Sequence, residues 1–437
     1  MQQWFTLTLL FVVFLTNSSA QEAENDRVKT PIDNLREYFA LAPKGRPELS
    51  RASFAKIPLT KSQAEAAVRM ILKDRLATLR VERKKEFDAK MIMFGDKTMK
   101  YDYRIYGDEP EGGHSLYISM HGGGGAPARV NDQQWRNQIR LYQPKEGIYL
   151  APRAPTDTWN LWHQKHIDPM FDRLIENFIA IKGVNPNKVY VMGYSAGGDG
   201  AYQLAPRMAD RWAGAAMMAG HPGDAQFWNL RNLAYIIQCG GKDRAYNRAN
   251  LCAQWGNKLK RLSQLDPPHY VHKCVVYPQY GHWMNLECKQ AVPWMAKYTR
   301  NPWPKKLHWY QDNVTHNRFY WLSNKNPKHR QLISAAVKEQ TIILNTPDIK
   351  LDYYHPAMQA MGFKDKAKKF GQISKVTLRL ADQLIDMNHK VTVKDARGMI
   401  LLEKKIVRTI ATIAESLEQR PDGASVAYAT LEVTLPK

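Results

Sequence analysis

Between about residue 97 and residue 300, short apolar runs alternate with longer stretches whose apolar positions recur every three or four residues. Tyr101–Tyr106, Ser115–Met120, Ile148–Ala151, Lys188–Met192, Ala213–Met218, Ala234–Gln238 and Lys273–Tyr277 read as strands. Between most of them lie helical patterns, such as Pro169–Ile181 with Met170, Leu174, Phe178 and Ile181 on one face. Continuously apolar strands separated by helices predict a mostly parallel sheet with helices on both faces. Upstream, residues 21–58 are polar and show no strong period. Thr60-Lys-Ser-Gln63 then has the form of a capping box, and Ala66, Ala67, Met70, Ile71 and Leu79 follow at helical spacing. Beyond Trp303-Pro304 the period becomes strand-like. Trp309, Phe319–Leu322, Thr341–Leu344, Val376–Leu378, Val391–Val393, Met399–Leu402 and Ala427–Leu435 are short β segments, interrupted by one helix at Thr409–Glu418. The expected organisation is a leader (1–20), an extension with an amphipathic helix (21–96), an α/β domain (97–304) and a C-terminal β-sandwich-like domain (305–437).

Composition adds compartment and partner. Trp4–Leu15 is an apolar run too short to span a bilayer, and it ends in small residues at Ala20, the pattern of a secretory signal cut after that position. No other segment approaches transmembrane length, so a secreted or periplasmic location is expected. A net charge of +22 is spread along the chain without a Lys/Arg run of nucleic-acid type. It keeps the surface soluble and would favour an acidic polymer electrostatically. Cys239, Cys252, Cys274 and Cys288 fall within fifty residues of one another, and in an exported protein they predict one bridge. None has metal-site spacing.

The chemistry begins where the strand ending at Met192 runs into Gly193-Tyr194-Ser195-Ala196-Gly197-Gly198 and a helix follows. Gly-x-Ser-x-Gly in that setting is a tight elbow that holds a serine hydroxyl clear of the sheet's carboxyl edge. His121-Gly-Gly-Gly-Gly125 follows an earlier strand, and its glycines let backbone N–H groups approach an oxyanion. Gly123 or Gly124 would supply one donor and Ala196 the other. The serine needs a base and a carboxylate to orient that base. Asp243 and His282 each follow a strand on the same edge, with Asp224 as a rival acid and His221, His269 and His272 as rival bases. His269 and His272 precede the last strand and would lie at its wrong end. His121, Tyr194, Trp159, Trp162, His221 and Trp283 are expected around the substrate, with Phe227 and Trp228 nearby. No metal or organic cofactor is needed for this chemistry.

The pieces His121–Gly125, Leu150-Ala-Pro-Arg-Ala-Pro155, Val191–Gly198, Gly241-Lys-Asp243 and Tyr280-Gly-His282 resemble the α/β-hydrolase superfamily. They are most similar to secreted esterases of the feruloyl-esterase and polyhydroxybutyrate-depolymerase kind, and to phospholipase/carboxylesterase-like families. The resemblance covers just under half of the chain. It implies ester hydrolysis through an acyl-enzyme, on polysaccharide-linked or polymeric esters. Two other readings are a serine peptidase of prolyl-oligopeptidase type, and an inactive hydrolase scaffold that binds an acidic polymer. Residues 21–96 are too short for the propeller of the first, and the intact Ser195, Asp243, His282 set argues against the second.

Overall fold

The chain's computed structural model describes residues 29–346, 371 and 373–436. The expected signal segment lies outside the described residues. Helix α1 (Pro31–Ala40) starts at Thr30, whose hydroxyl accepts the Asp33 N–H while Asp33 accepts the Thr30 N–H. This reciprocal cap stands in the stretch where the sequence showed no strong period. Helix α2 (Lys61–Asp88) starts from the expected box, with Gln63 N–H on Thr60 Oγ1 at 3.2 Å and Thr60 N–H on Gln63 Oε1 at 2.9 Å.

The main sheet contains β1 (Met91–Phe94), β2 (Lys97–Tyr106), β3 (Leu116–Met120), β4 (Gly147–Pro152), β5 (Val189–Tyr194), β6 (Gly214–Met218), β7 (Ala234–Gly240) and β8 (His272–Tyr277). Its spatial order is β1-β2-β4-β3-β5-β6-β7-β8. The first two strands are antiparallel and the rest run parallel. The helices between them are α3 (Ala128–Gln138), α4 (Ile167–Lys182), α5 (Ala196–Arg207), α6 (Arg248–Leu265) and α7 (Ala291–Met295). Alternate residues of each strand enter different cores. Ile118, Val191, Met217 and Ile237 pack with α4, α5 and α6, whereas Tyr117, Met192, Met218 and Ile236 pack with Tyr142 and α7. Both faces are therefore dry, which is why the strands read as continuous apolar runs rather than alternating ones.

The chain continues through β9 (Lys306–Tyr310), β10 (Arg318–Phe319), β11 (Leu322–Ser323), β12 (Leu332–Lys338), β13 (Thr341–Asn345), β14 (Lys375–Leu380), β15 (Lys390–Asp395), β16 (Ile400–Lys405), α8 (Ile410–Gln419) and β17 (Ala429–Thr434). These strands form a four-stranded sheet, β10-β11-β14-β17, and a five-stranded one, β16-β15-β13-β12-β9. Strand β12 was not anticipated, because Ala335 and Ala336 interrupt the apolar alternation. The side chains Leu344, Leu378, Val393 and Leu431 share one core with the α4 side of the main sheet. Helix α2 packs on both α4 and α8, tying the N-terminal extension to each part. Among the described residues no helix is long and apolar enough to cross a membrane.

A buried polar joint fastens the two parts. Arg300 reaches Asp422 at 2.6 Å, the Asp210 carbonyl at 2.9 Å and Asn187 Oδ1 at 2.8 Å. Both side chains of the Arg300–Asp422 pair are 1% exposed or less. Removing one member would leave a lone charge without water, at a cost of about 3–5 kcal/mol. Arg300→Met should therefore lower the urea midpoint by the equivalent of that range. An unchanged midpoint would mean that the joint does not hold the parts together.

Candidate active site

Strands β3 and β5 are neighbours although β4 lies between them in sequence, so the chain turns to opposite sides of the sheet at this point. A crevice opens outside the carboxyl ends of strands at such a switch. The glycine loop leaves β3 there and the Ser195 elbow leaves β5. Ser195 adopts φ 58°, ψ −121°, a backbone conformation that a non-glycine residue holds only under constraint. The constraint is close packing of main chain. A Cβ at Gly193 would sit 2.0 Å from the Gly197 carbonyl oxygen, and one at Gly197 would sit 2.2 Å from the Met120 carbonyl oxygen. Only glycines let the turn between β5 and α5 close against the end of β3.

Around Ser195 the hydrogen bonds form one line. Ser195 Oγ is 2.9 Å from His282 Nε2, and His282 Nδ1 is 2.7 Å from Asp243 Oδ2. Asp243 is a carboxylate acceptor, so Nδ1 carries the proton and Nε2 presents a lone pair to the serine hydroxyl. Asp243 is buried, with Arg248 Nη1 4.0 Å from its other oxygen and the Cys239 thiol 3.9 Å from Oδ2. The His282 loop is held by Tyr194, whose hydroxyl donates to the His282 carbonyl at 2.6 Å and accepts the Met284 N–H at 3.1 Å. Tyr194, expected at the substrate, is thus a buried clamp between the elbow and the His282 loop.

The glycine loop is equally fixed. Asn131 Oδ1 accepts the Gly124 N–H at 2.8 Å, and Asn131 Nδ2 donates to Asp157 at 2.9 Å. Asp157 is paired with Arg153 at 2.5 Å. With its amide already engaged, Gly124 is set aside as an oxyanion donor, leaving Gly123 and Ala196 of the expected set. Gly123 has φ +101°, and a Cβ there would lie 2.2 Å from Asn131 Oδ1, so no side chain is compatible with this loop.

His121 is fully buried and cannot touch substrate, contrary to expectation. Its Nε2 accepts the Ala154 N–H at 3.1 Å, which puts the proton on Nδ1 and makes that nitrogen the donor to the Gly122 carbonyl at 2.6 Å. Burial pushes its pKa down to about 4, so the ring is neutral at ordinary pH. Trp162, expected on the rim, is fully buried too, and its Nε1 donates to the His121 carbonyl at 2.9 Å. Both residues support the loop from beneath. Phe227 is likewise buried. By contrast Trp159 is 71% and Trp283 50% exposed; Trp159 lies against Gly125, and the Trp283 ring is 5.6 Å from that of Tyr194.

The rivals lie elsewhere. His272 opens β8 at the opposite sheet edge, with Nδ1 2.9 Å from the Tyr270 carbonyl oxygen. His269 precedes it and is partly buried against Arg231 and Asp266. Asp224 accepts from Gln203 Nε2 at 3.0 Å. His221 accepts the Gly223 N–H on Nδ1 at 3.0 Å, and its own N–H is held by Asp199 Oδ1 at 2.6 Å. Asp199 and Asn131 carry no motif, and sequence reasoning missed both. An acidic residue in the first turn after the elbow was the one available sign of Asp199.

The expected bridge is absent, and all four thiols are free. Cys288 lies on the other face of the sheet from Cys239 and Cys252, against the Tyr142 hydroxyl at 3.1 Å. Cys274 Sγ faces the Cys252 carbonyl at 3.6 Å.

The buried neutral His121 has a consequence for stability. In the unfolded chain a histidine titrates near 6.5, while in the fold it resists protonation until about pH 4. Between those values the unfolded chain holds the extra proton. Its contribution is therefore complete above about pH 6.5 and is lost as pH falls toward 4, by about 3 kcal/mol in all. His163, also pushed down to about 4, acts in the same direction. His121→Asn should flatten the decline in urea midpoint between these pH values. An equally steep decline in the variant would contradict the assignment.

No family model matches this chain, and no curated protein does. Among solved structures, a thermostable esterase aligns at 15% identity over 48% of this chain and 64% of its own, with a TM-score of 0.37. This chain thus spans less than two thirds of that protein. The feruloyl esterase module of Clostridium thermocellum complexed with sinapinate aligns at 14% identity over 48% and 86%, with a TM-score of 0.35. An acetyl xylan esterase from Aspergillus awamori aligns at 12% over 47% and 97%, with a TM-score of 0.33. By its own strand order, its elbow after β5 and its glycine loop after β3, the eight-stranded sheet with its helices has the α/β-hydrolase fold.

Proposed function

We propose that this chain is a secreted serine ester hydrolase whose nucleophile is Ser195. The observation that carries the reading is the unbroken line Ser195 Oγ–His282–Asp243, at 2.9 and 2.7 Å. His282 Nε2 takes the serine proton as Oγ attacks the ester carbonyl, and buried Asp243 stabilises the imidazolium that forms. The Gly123 and Ala196 amides hold the oxyanion, within the glycine loop and at the start of α5. His282 then protonates the departing alcohol, and water repeats the sequence on the acyl-enzyme. Exposed Trp159 and Trp283 beside this centre suit an aromatic or sugar group, in keeping with polysaccharide-linked or polymeric esters.

Short p-nitrophenyl esters should be turned over, and Ser195→Ala or His282→Ala should lower kcat by about a million-fold. His221→Ala should cost far less, because its ring already takes the Gly223 N–H. Equal losses at His221 and His282 would undo the assignment of the base. Activity on peptidyl amides without esters would favour a peptidase, and no turnover of any ester would favour a binding protein. A panel of acetylated, feruloylated and polyester substrates fixes the acyl group.

A further inference from the structure

The four-stranded sheet has one apolar and one polar face. Val376, Leu378 and Leu380 of β14 and Leu431 and Val433 of β17 enter the core. The alternate positions face the other way, and the strand register aligns them. Arg318 pairs with Ser323, Ser323 with Thr377 and Thr377 with Glu432, while Arg379 pairs with Thr430 in the adjacent row. Helix α8 runs beside this face with Thr412, Ser416 and Gln419, enclosing a cleft of about 470 Å³. Every side chain lining it is polar, so it is not built for an apolar ligand.

Its charges are unbalanced. Eight arginines are buried among the described residues: Arg153, Arg207, Arg211, Arg231, Arg248, Arg300, Arg379 and Arg408. Seven of them lie within 4.0 Å of a carboxylate, and Arg379 alone does not. Arg379 donates to Gln419 Oε1 at 3.0 Å and Ser416 Oγ at 2.8 Å, and its Nε has no acceptor. Half-buried Arg318 gives Nη2 to the Ser425 carbonyl and has no carboxylate within 4.0 Å, with Asp210 and Asp422 acting on it from farther away. The carboxylates of the cleft do not pair with Arg379 directly, and Glu415 acts on it only from beyond ion-pair distance. Glu432 is engaged by Lys325 and Lys375, and Glu415 is exposed and forms no ion pair. A buried guanidinium with no carboxylate at ion-pair distance is costly enough that proteins rarely keep one.

We infer that this cleft binds a hydroxylated ligand bearing an oxyanion, the chemistry of an acidic sugar unit, whose carboxylate or sulfate pairs with Arg379 and Arg318. The hydroxyls of Ser323, Thr377 and Thr430 then meet the sugar hydroxyls, and the net charge of +22 draws an acidic polymer toward the surface. This site stands apart from the chemistry at Ser195 and does not rest on it.

Titration calorimetry on the full chain carrying Ser195→Ala, with glucuronate, a sulfated glucose, glucose and inorganic phosphate, tests the assignment. Glucuronate or the sulfated sugar should bind and glucose should not. The stronger of the two acids identifies the group. Arg379→Gln removes one charged hydrogen-bonding partner and should weaken binding about tenfold. Thr377→Trp fills the cleft while leaving both arginines in place and should abolish binding at an unchanged urea midpoint, so a folding failure of Arg379→Gln leaves the test intact. Absence of binding by both acids, binding unaffected by Thr377→Trp, or phosphate binding as well as the acidic sugars would overturn the proposal.

Discussion

The contact on which the rest depends is the closure of backbone on backbone where β5 turns into α5. Ser195 keeps its strained φ and ψ because Gly193, Gly197 and the end of β3 leave no room for another path. That packing sets the elbow beside the glycine loop, since both leave adjacent parallel strands at the switch in strand order. Tyr194 extends the constraint sideways, because its hydroxyl binds the backbone on either side of Trp283 and so fixes where the His282 ring can stand. Ser195, His282 and the Gly123 and Ala196 amides are therefore positioned by one rigid corner of the sheet rather than by separate loops.

Beneath that corner lies a largely buried polar layer. His121, Asn131, Arg153 and Asp157 join the glycine loop to the end of β4 through hydrogen bonds of 2.5–3.1 Å. Each buried donor or acceptor left without its partner would cost about 1–3 kcal/mol, so the layer holds the loop in one shape. The buried Arg300–Asp422 joint does the same for the junction with the β-rich part. In both places polar groups are used where an apolar core could not specify orientation.

Much of this was legible from residue order. The parallel sheet followed from continuous apolar runs, and the elbow from glycines placed between a strand and a helix. Asp243 and His282 stood out because each follows a strand on the edge that Ser195 shares. What stayed hidden was set by burial and by partners distant in sequence. Trp162 and His121 look like rim residues because they adjoin the glycine loop and the strand ends, yet three-dimensional packing turns both inward. Asn131 lies in an ordinary helical stretch, and only the fold brings its amide to Gly124. The cysteines are close in sequence, but the sheet divides Cys288 from Cys239 and Cys252, which no spacing could reveal.

The claim that everything converges on an activated Ser195 is tested most directly by covalent labelling with a fluorophosphonate, followed by peptide mapping. The account predicts a single adduct on Ser195, formed rapidly in the wild type and very slowly in His282→Ala. A wild-type protein that resists the reagent, or that carries its adduct on another residue, would contradict it.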